Sequence, residues 1–423
     1  MTDSSALAKR LAPVYEEAQD LTDRFAATGY RLYLVGGMVR DALLGLSLQE
    51  AFDLDFTTDA EPPVVKAILE DCAEALWTQG ERFGTIGAYL DGRRVEITTH
   101  RSECYVSDSR KPEVEFSDAI QVDLSRRDFT INAMAVELPS GRLVDPFGGA
   151  DDLAARRLRT PLEPGETFSD DPIRMMRAAR FLAQFQLSCE PSLVYAIQQM
   201  AERLSIVAHE RIRDELDRLL DLANPVPAFQ LLFDTDLAHR VLGPISDSVR
   251  VLECLGRAES DPMVRLAVLM SGVGVSTEVR QALIERRASK EVAQVVPALL
   301  GSAQAALASP PQGLSDLRRW VVDAQGKHAE AIAVAAALGD VGSLAADVAV
   351  LLEAEPDLFG PPVLDGGEIM TLLGLLVGPE VGAAVAELRR HRLEAGPLSP
   401  VEARAYLLEW HRQSTVYAPP RLV

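Results

Sequence analysis

The chain has 423 residues, 48% hydrophobic and 25% charged, enough apolar surface for a core and too much for global disorder. Its 42 Lys and Arg stand against 63 Asp and Glu, and the net charge of −21 excludes a general basic coating for nucleic acid. Screening beyond roughly 8–10 Å still leaves room for a local basic groove. At ~100–200 residues per domain the length predicts two to four domains. Cys72, Cys104, Cys189 and Cys254 are scattered without a C-x-x-C pair, against a zinc ribbon or a disulfide scaffold. The N-terminus, MTDSSALAKRLAPVYEEAQD, reads as an amphipathic helix rather than a leader. No run approaches the ~20 apolar residues a bilayer needs, so a soluble, cytoplasmic protein is expected.

From Tyr30 to about Gly149 strand and helix patterns mix. Arg31 to Val35 (RLYLV) is a short apolar run ending at Gly36-Gly37, and a helical pattern follows to Leu44 and stops at Gly45. Phe52 to Thr57 (FDLDFT) alternates as a strand does. Gly84–Tyr89 and Arg93–Thr98 read as strands joined by Leu90-Asp91-Gly92. Phe129–Leu138 and Arg142–Val144 flank a turn at Pro139-Ser140-Gly141. After Pro146-Phe147-Gly148-Gly149 the periodicity is helical, with Pro225-Val226-Pro227, Gly243-Pro244 and Pro310-Pro311 marking connections. The expected organisation is an α+β fold: a mixed-sheet head over 1–150, a helical neck over 151–245 and a helical body and tail over 246–423.

Four stretches carry chemistry. Asp53-x-Asp55 lies in a strand pattern, so both carboxylates share one face, roughly 6.5–7 Å apart at Cα, and can share a divalent cation. Mg²⁺ typically takes one or two carboxylates plus substrate phosphates. Glu96, in RRVEITT, offers a third carboxylate or a solvated edge charge. Gly36-Gly37-Met38-Val39-Arg40-Asp41 follows a strand and opens a helix, a geometry that brings backbone N–H groups close to a phosphate, with Arg40 within reach; an ordinary β–α turn has the same pattern. Arg126-Arg127-Asp128 and Asn132 suggest anion and sugar contact, or a cap rich in ion pairs. In DDPIRMMRAARF, Asp171 is at or near a cap with Pro172 in the first turn. Arg174, Arg177 and Arg180 recur every third residue as one basic stripe, with Ile173, Met176 and Phe181 expected opposite, toward the core.

Read in order, LVGGMVRD, DLDFTT, GTIGAYLDGRRVEITTHR, RRDFTINAMA, DDPIRMMRAARF and HERIRDEL resemble the class II nucleotidyltransferases, the CCA-adding enzymes and bacterial poly(A) polymerases. The resemblance runs from about Tyr30 to Leu220. It implies a polymerase-β-like head and an all-α neck, body and tail. By this resemblance Asp53 and Asp55 are metal-binding carboxylates for Mg²⁺, and Glu96 is the third acidic position. Gly36, Gly37 and Arg40 form the triphosphate turn. Arg127, Asp128 and Asn132 hold phosphates and ribose. Asp171 and Arg174 read the base, Arg177 and Arg180 continue that helix, and Glu210 to Glu215 is a structural helix motif beside it. The implied reaction is two-metal nucleotidyl transfer from CTP and ATP to tRNA, releasing pyrophosphate.

Cytosine and adenine both present an amino donor beside a ring-nitrogen acceptor. A carboxylate (Asp171) and a guanidinium (Arg174) complement that pair, and meet uracil or guanine with two mismatches of about 1–3 kcal/mol each. Within the family, three features point to CCA addition. The stretch YVSDSRKPEVE resembles the flexible loop of CCA-adding members, with Asp108 and Arg110 at its polar positions. Arg82–Glu96 lacks the basic, histidine-bearing stretch of poly(A) polymerases. The low positive charge suits a compact structured RNA. Poly(A) addition, CC- or A-only addition, and a non-catalytic RNA-binding relative are the alternatives. RLAVLMSGVG resembles an HD phosphohydrolase stretch in which Ser271-Gly272 replace His-Asp, so a degenerate, non-hydrolytic remnant is expected.

Overall fold

In the computed structural model, which describes residues 4–48, 53–104 and 113–416, β1 (Leu32–Val35) is buried on both faces. Its alternation divides two cores. Leu32 and Leu34 pack into one cluster, and Tyr33 and Val35 into another. The first cluster is roofed by α1 (Ser4–Glu17), α2 (Gln19–Ala27), α3 (Gly37–Leu44) and α4 (Pro62–Glu70), which contribute Leu7, Leu11, Leu21, Phe25, Val39, Val65 and Leu69. Leu7, Leu11 and Val14 recur at helical spacing, so α1 buries one stripe.

The sheet is mixed. Besides β1 it holds β2 (Leu54–Thr58), β3 (Ala75–Trp77), β4 (Thr85–Leu90) and β5 (Arg93–Thr99). After the two-stranded β6 (Arg101–Cys104) and β7 (Glu113–Phe116) come β8 (Ala135–Leu138) and β9 (Arg142–Val144). The seven-stranded order is β3-β4-β5-β2-β1-β8-β9, with β2 and β5 parallel. Asp91 and Gly92 both have positive φ (49° and 76°), the two-residue turn that a β4–β5 hairpin requires. Glu96 is therefore on an interior strand, not at a sheet edge. Leu54 and Phe56 enter the helix-covered core, so Asp55 and Thr57 point to the opposite face with Tyr33 and Val35.

The extended reading of Phe129–Leu138 is half right. Thr130–Asn132 form a 3₁₀ turn, and the strand begins only at Ala135. Buried Asp128 accepts from the Phe129 N–H, and the Asn132 side chain accepts from Arg40; both favour a turn over a ladder here. This segment follows α5 (Ile120–Ser125), whose Ile120 and Leu124 cover the second face of β1. Then come α6 (Gly149–Ala154), α7 (Pro164–Asp170), α8 (Arg174–Phe185), α9 (Pro191–Met200) and α10 (His209–Leu220).

The chain forms two compact units, 1–243 and 244–423. The described part of the second is helical. Helix Pro262–Met270 is buried from Val264 to Met270 and packs against Val292–Ala308 and His328–Leu338; Asp261 caps it by accepting from the Val264 N–H at 2.9 Å. Ser271, just beyond that helix, donates to the Val268 carbonyl at 2.6 Å, and a Cβ at Gly272 would meet Ile245 at 2.5 Å. Ser271 and Gly272 are thus a helix end and a close backbone approach. Leu364, Ile369, Ala384, Leu388, Ala403 and Leu407 make a separate small core. No helix among the described residues is long and apolar enough to cross a membrane.

Candidate active site

A cleft of about 540 Å³ opens in the first unit on the sheet face away from α1–α4. It begins at the end of β1. Gly36 has φ 76° and ψ −133°, a conformation open mainly to glycine, and from there the chain turns into α3. A Cβ on Gly36 would touch Arg127 Nη1 at 3.4 Å, and one on Gly37 would sit 3.3 Å from Arg40 Nη2. The diglycine therefore lets two guanidinium groups lie against bare backbone beside the open N–H end of a helix, a combination suited to phosphate.

Eight arginines line the cleft (40, 101, 126, 127, 174, 177, 180 and 211) against four acids, Asp55, Glu96, Asp128 and Asp171. In a chain of net charge −21 this is a local basic groove. Its arginines are held in place from behind. Asp123, fully buried, accepts from Arg126 (3.0 and 2.6 Å) and from Arg127 (3.2 Å). Burial alone would push the Asp123 carboxyl up, but the two guanidiniums outweigh it and hold it below the usual carboxylate range. Asp128 works in the same way. Its Oδ1 accepts from the Phe129 N–H and from Asn132, both at 2.9 Å, and its Oδ2 from Arg177 at 2.9 and 2.5 Å. Burial is again opposed and overcome, chiefly by Arg177 and then by Asn132.

Arg40 donates to Asn132 Oδ1 at 2.6 Å and to Asp41 at 2.8 Å, and its guanidinium lies 4.4 Å from the Phe185 ring centroid. Phe181 collects three guanidiniums, those of Arg40, Arg177 and Arg180, at 5.4, 5.2 and 4.3 Å. This corrects the expectation that Phe181 lies opposite the arginine stripe. It is buried, but it lines the cleft as the platform on which the stripe rests. Arg180 is itself turned toward Glu215 on α10, which fixes the neck helices to each other.

Asp171 lies near a cap as expected, closing α7 two residues before the α8 cap residue Ile173, but its side chain makes no cap hydrogen bond. Helix α8 starts at Arg174, and the Asp171 side chain receives two hydrogen bonds from Arg211, at 3.1 and 2.7 Å. Arg174 spends one donor on the Arg126 carbonyl at 2.7 Å. Both side chains face the same cleft. Arg211 lies within HERIRDEL, and sequence spacing does not single it out, because its partner is 40 residues away.

The carboxylates meet on β2 and β5. The parallel register sets Asp55 opposite Glu96, and Asp53 lies one step before β2 on the same face. Asp55 is solvent-exposed on the cleft floor, yet the protein mass around it thins its water. That desolvation first, then the charges of Glu96 and Asp53, push its pKa up to about 6 against the pull of Arg127 and Arg94. Arg94 donates to Glu96 at 2.5 Å and has Nη1 3.6 Å from Asp53. Among the described residues no three acid, histidine or cysteine side chains converge to hold an ion unaided. The donor set still fits a divalent cation bound in part by substrate: mutually repelling carboxylates are attended by a side-chain cation, and Mg²⁺ needs only one or two carboxylates with phosphate oxygens and water. Asp108 and Arg110 lie outside the described residues.

The head that carries this cleft is similar to the poly(A) polymerase head domain. The family model "Poly A polymerase head domain" matches residues 32–159, and "Probable RNA and SrmB- binding site of polymerase A" matches 186–248. A CCA-adding enzyme of Limosilactobacillus reuteri (strain DSM 20016) is 32% identical over 309 residues, 71% of this chain and 74% of that protein. One from Lactobacillus johnsonii is 37% identical over 234 residues, 55% of this chain and only 57% of that relative's length. The chain belongs to the CCA-adding enzyme family. The crystal structure of Bacillus stearothermophilus CCA-adding enzyme in complex with CTP matches with a TM-score of 0.77 at 26% identity, over 96% of this chain and all of that one. A Thermotoga maritima CCA-adding enzyme complexed with tRNA shares the fold at TM-score 0.71 and 21% identity.

Proposed function

We propose that the chain is a CCA tRNA nucleotidyltransferase, adding C, C and A to the tRNA 3′ end from CTP and ATP without a nucleic-acid template. The observation that carries this reading is a single cleft lined by Asp55 and Glu96, the diglycine turn and the Asp171–Arg174 pair. Gly36, Gly37 and Arg127 receive the triphosphate at the open end of α3. Asn132, oriented by Asp128, faces the sugar, while Arg177 keeps the Asp128 carboxylate fixed. Asp171 accepts from the exocyclic amino group of cytosine or adenine, and Arg174 donates to the neighbouring ring nitrogen. Asp53 and Asp55, with Glu96 beside them, hold Mg²⁺. When bound, two such ions would supply charge, one to activate the RNA 3′-hydroxyl and the other to hold the triphosphate and stabilise departing pyrophosphate. The basic rim holds the acceptor end through its phosphates.

The test is incubation of the purified chain with tRNA lacking its 3′ end, with CTP alone, ATP alone and both. The expected products are two added C residues with CTP and exactly one further A when ATP is present. A ladder of A residues would instead assign poly(A) addition, and arrest after CC with both nucleotides would assign a CC-adding enzyme. The kinship with CCA-adding enzymes supports the first outcome, and on this reading the chain works in the cytoplasm.

A further inference from the structure

The parallel pairing of β2 with β5 puts Leu54 beside Val95 and Asp55 beside Glu96, and so brings Arg94 alongside Asp53. Arg94 and Glu96 are two apart on β5 and share its face. The guanidinium bridges the gap, donating to Glu96 at 2.5 Å and standing 3.6 Å from Asp53. It is 45% exposed and unburdened by core packing, so it can leave. On its other side is an aromatic ledge. The Trp77 ring centroid is 5.5 Å from the Arg94 guanidinium carbon, and Trp77 meets Tyr89 edge-on at 5.5 Å. Trp77 is fixed there because it lies directly over Gly87, where a Cβ would come within 2.0 Å of its indole nitrogen.

We propose that Arg94 is a resident counter-ion of the carboxylate site, which occupies Asp53 and Glu96 until a divalent cation arrives and then withdraws onto the Trp77–Tyr89 ledge. The inference rests on the metal reading above and deepens it. A tethered guanidinium and a divalent ion seek the same oxygens, and their charges repel at this range, so the two exclude each other. The site is thereby kept from standing as bare repelling carboxylates, and its affinity for the ion is set lower than three acids would give. The ledge offers the displaced cation a face to rest on, a contact that is favourable at exposed positions.

The experiment uses the full chain and two readouts independent of turnover. Mn²⁺ affinity is measured by titration with electron paramagnetic resonance for the wild type, Arg94→Gln and Arg94→Lys. Tryptophan emission is followed during Mg²⁺ titration in the same proteins, with Trp77→Phe identifying the signal. Arg94→Gln is expected to bind Mn²⁺ about tenfold tighter, with Arg94→Lys in between, and Mg²⁺ is expected to change Trp77 emission in the wild type but not in Arg94→Gln. Equal or weaker Mn²⁺ binding by Arg94→Gln overturns the inference while leaving the metal site intact. Failure of both the wild type and Arg94→Gln to bind Mn²⁺, alone or with CTP and beyond what CTP binds by itself, overturns the metal reading and this inference with it.

Discussion

Arg211 of α10 grips Asp171 with two parallel hydrogen bonds, 3.1 and 2.7 Å, from a helix 40 residues further along the chain. A fork of this kind fixes the direction of both carboxylate oxygens, which a single charge would not. Arg211→Ala is expected to lower kcat/KM for CTP by about tenfold and to raise UTP use relative to CTP. Arg211→Lys keeps the charge but loses the fork, and should fall between. Competition assays with CTP and UTP on a CCA-less tRNA provide the ratio, and an unaltered ratio in Arg211→Ala would remove Arg211 from base selection.

Asp128 ties three parts of the cleft together through Asn132, the Phe129 N–H and Arg177. Asp128→Asn leaves a guanidinium without its counter-charge and is expected to cost about 3 kcal/mol, the low end for breaking a buried pair. Urea unfolding at pH 7 measures it. The pH dependence has a definite sign. Because the folded carboxyl titrates below its ordinary 3.8, its stabilisation is complete above that value and disappears as pH falls through the lower folded value. The gap between wild type and Asp128→Asn should therefore be constant from pH 7 to 5 and close only in strong acid.

At Gly36 the backbone at φ 76° and ψ −133° leaves no place for a side chain. Gly36→Ala should cost about 1–3 kcal/mol of backbone strain. It should also set a methyl against Arg127 Nη1, in van der Waals contact at 3.4 Å, where the bare turn now stands open. The expected kinetic signature is a raised KM for CTP with a smaller change in kcat, read from initial rates. A KM equal to wild type would show that Arg127 and this turn do not meet the triphosphate.

The Asp55 carboxyl is pushed up to about 6 by the protein around it and by Glu96 and Asp53, against the pull of Arg127 and Arg94. Asp55→Ala is expected to abolish nucleotide addition, a loss beyond a hundredfold, while thermal unfolding stays unchanged or moves to higher temperature. Chelation by EDTA should stop the wild type reversibly, with Mg²⁺ restoring it; the same addition should leave Asp53→Ala, Asp55→Ala inactive. Full activity in that double variant would dismiss the carboxylates.

What sequence made legible was set locally. The stop at Gly45, the Asp91-Gly92 turn and the shared face of Asp53 and Asp55 follow from backbone preference and period-two alternation, and all lie where expected. The misses come from contacts that periodicity does not encode. Arg94 reads as an ordinary strand charge until the β2–β5 register brings Asp53 beside it. Asp123 resembles any acid in a helix, yet it is fully buried because Arg126 and Arg127 fold back on it. Phe181 has core periodicity and is indeed buried, but what covers it is a layer of arginines, which helical spacing cannot distinguish from leucines. The early start assigned to the strand at Phe129 failed because polar side chains at 128 and 132 found partners in a turn.

β1 carries a different core on each side, Leu32 and Leu34 on one and Tyr33 and Val35 on the other. A slip of one residue would exchange both sets at once, so the strand is indexed like a ratchet with a single permitted tooth. Gly36 and Gly37 come directly after it in the chain. Four side chains of one buried strand thus determine, to within one peptide unit, where the glycine bend that lines the cleft appears.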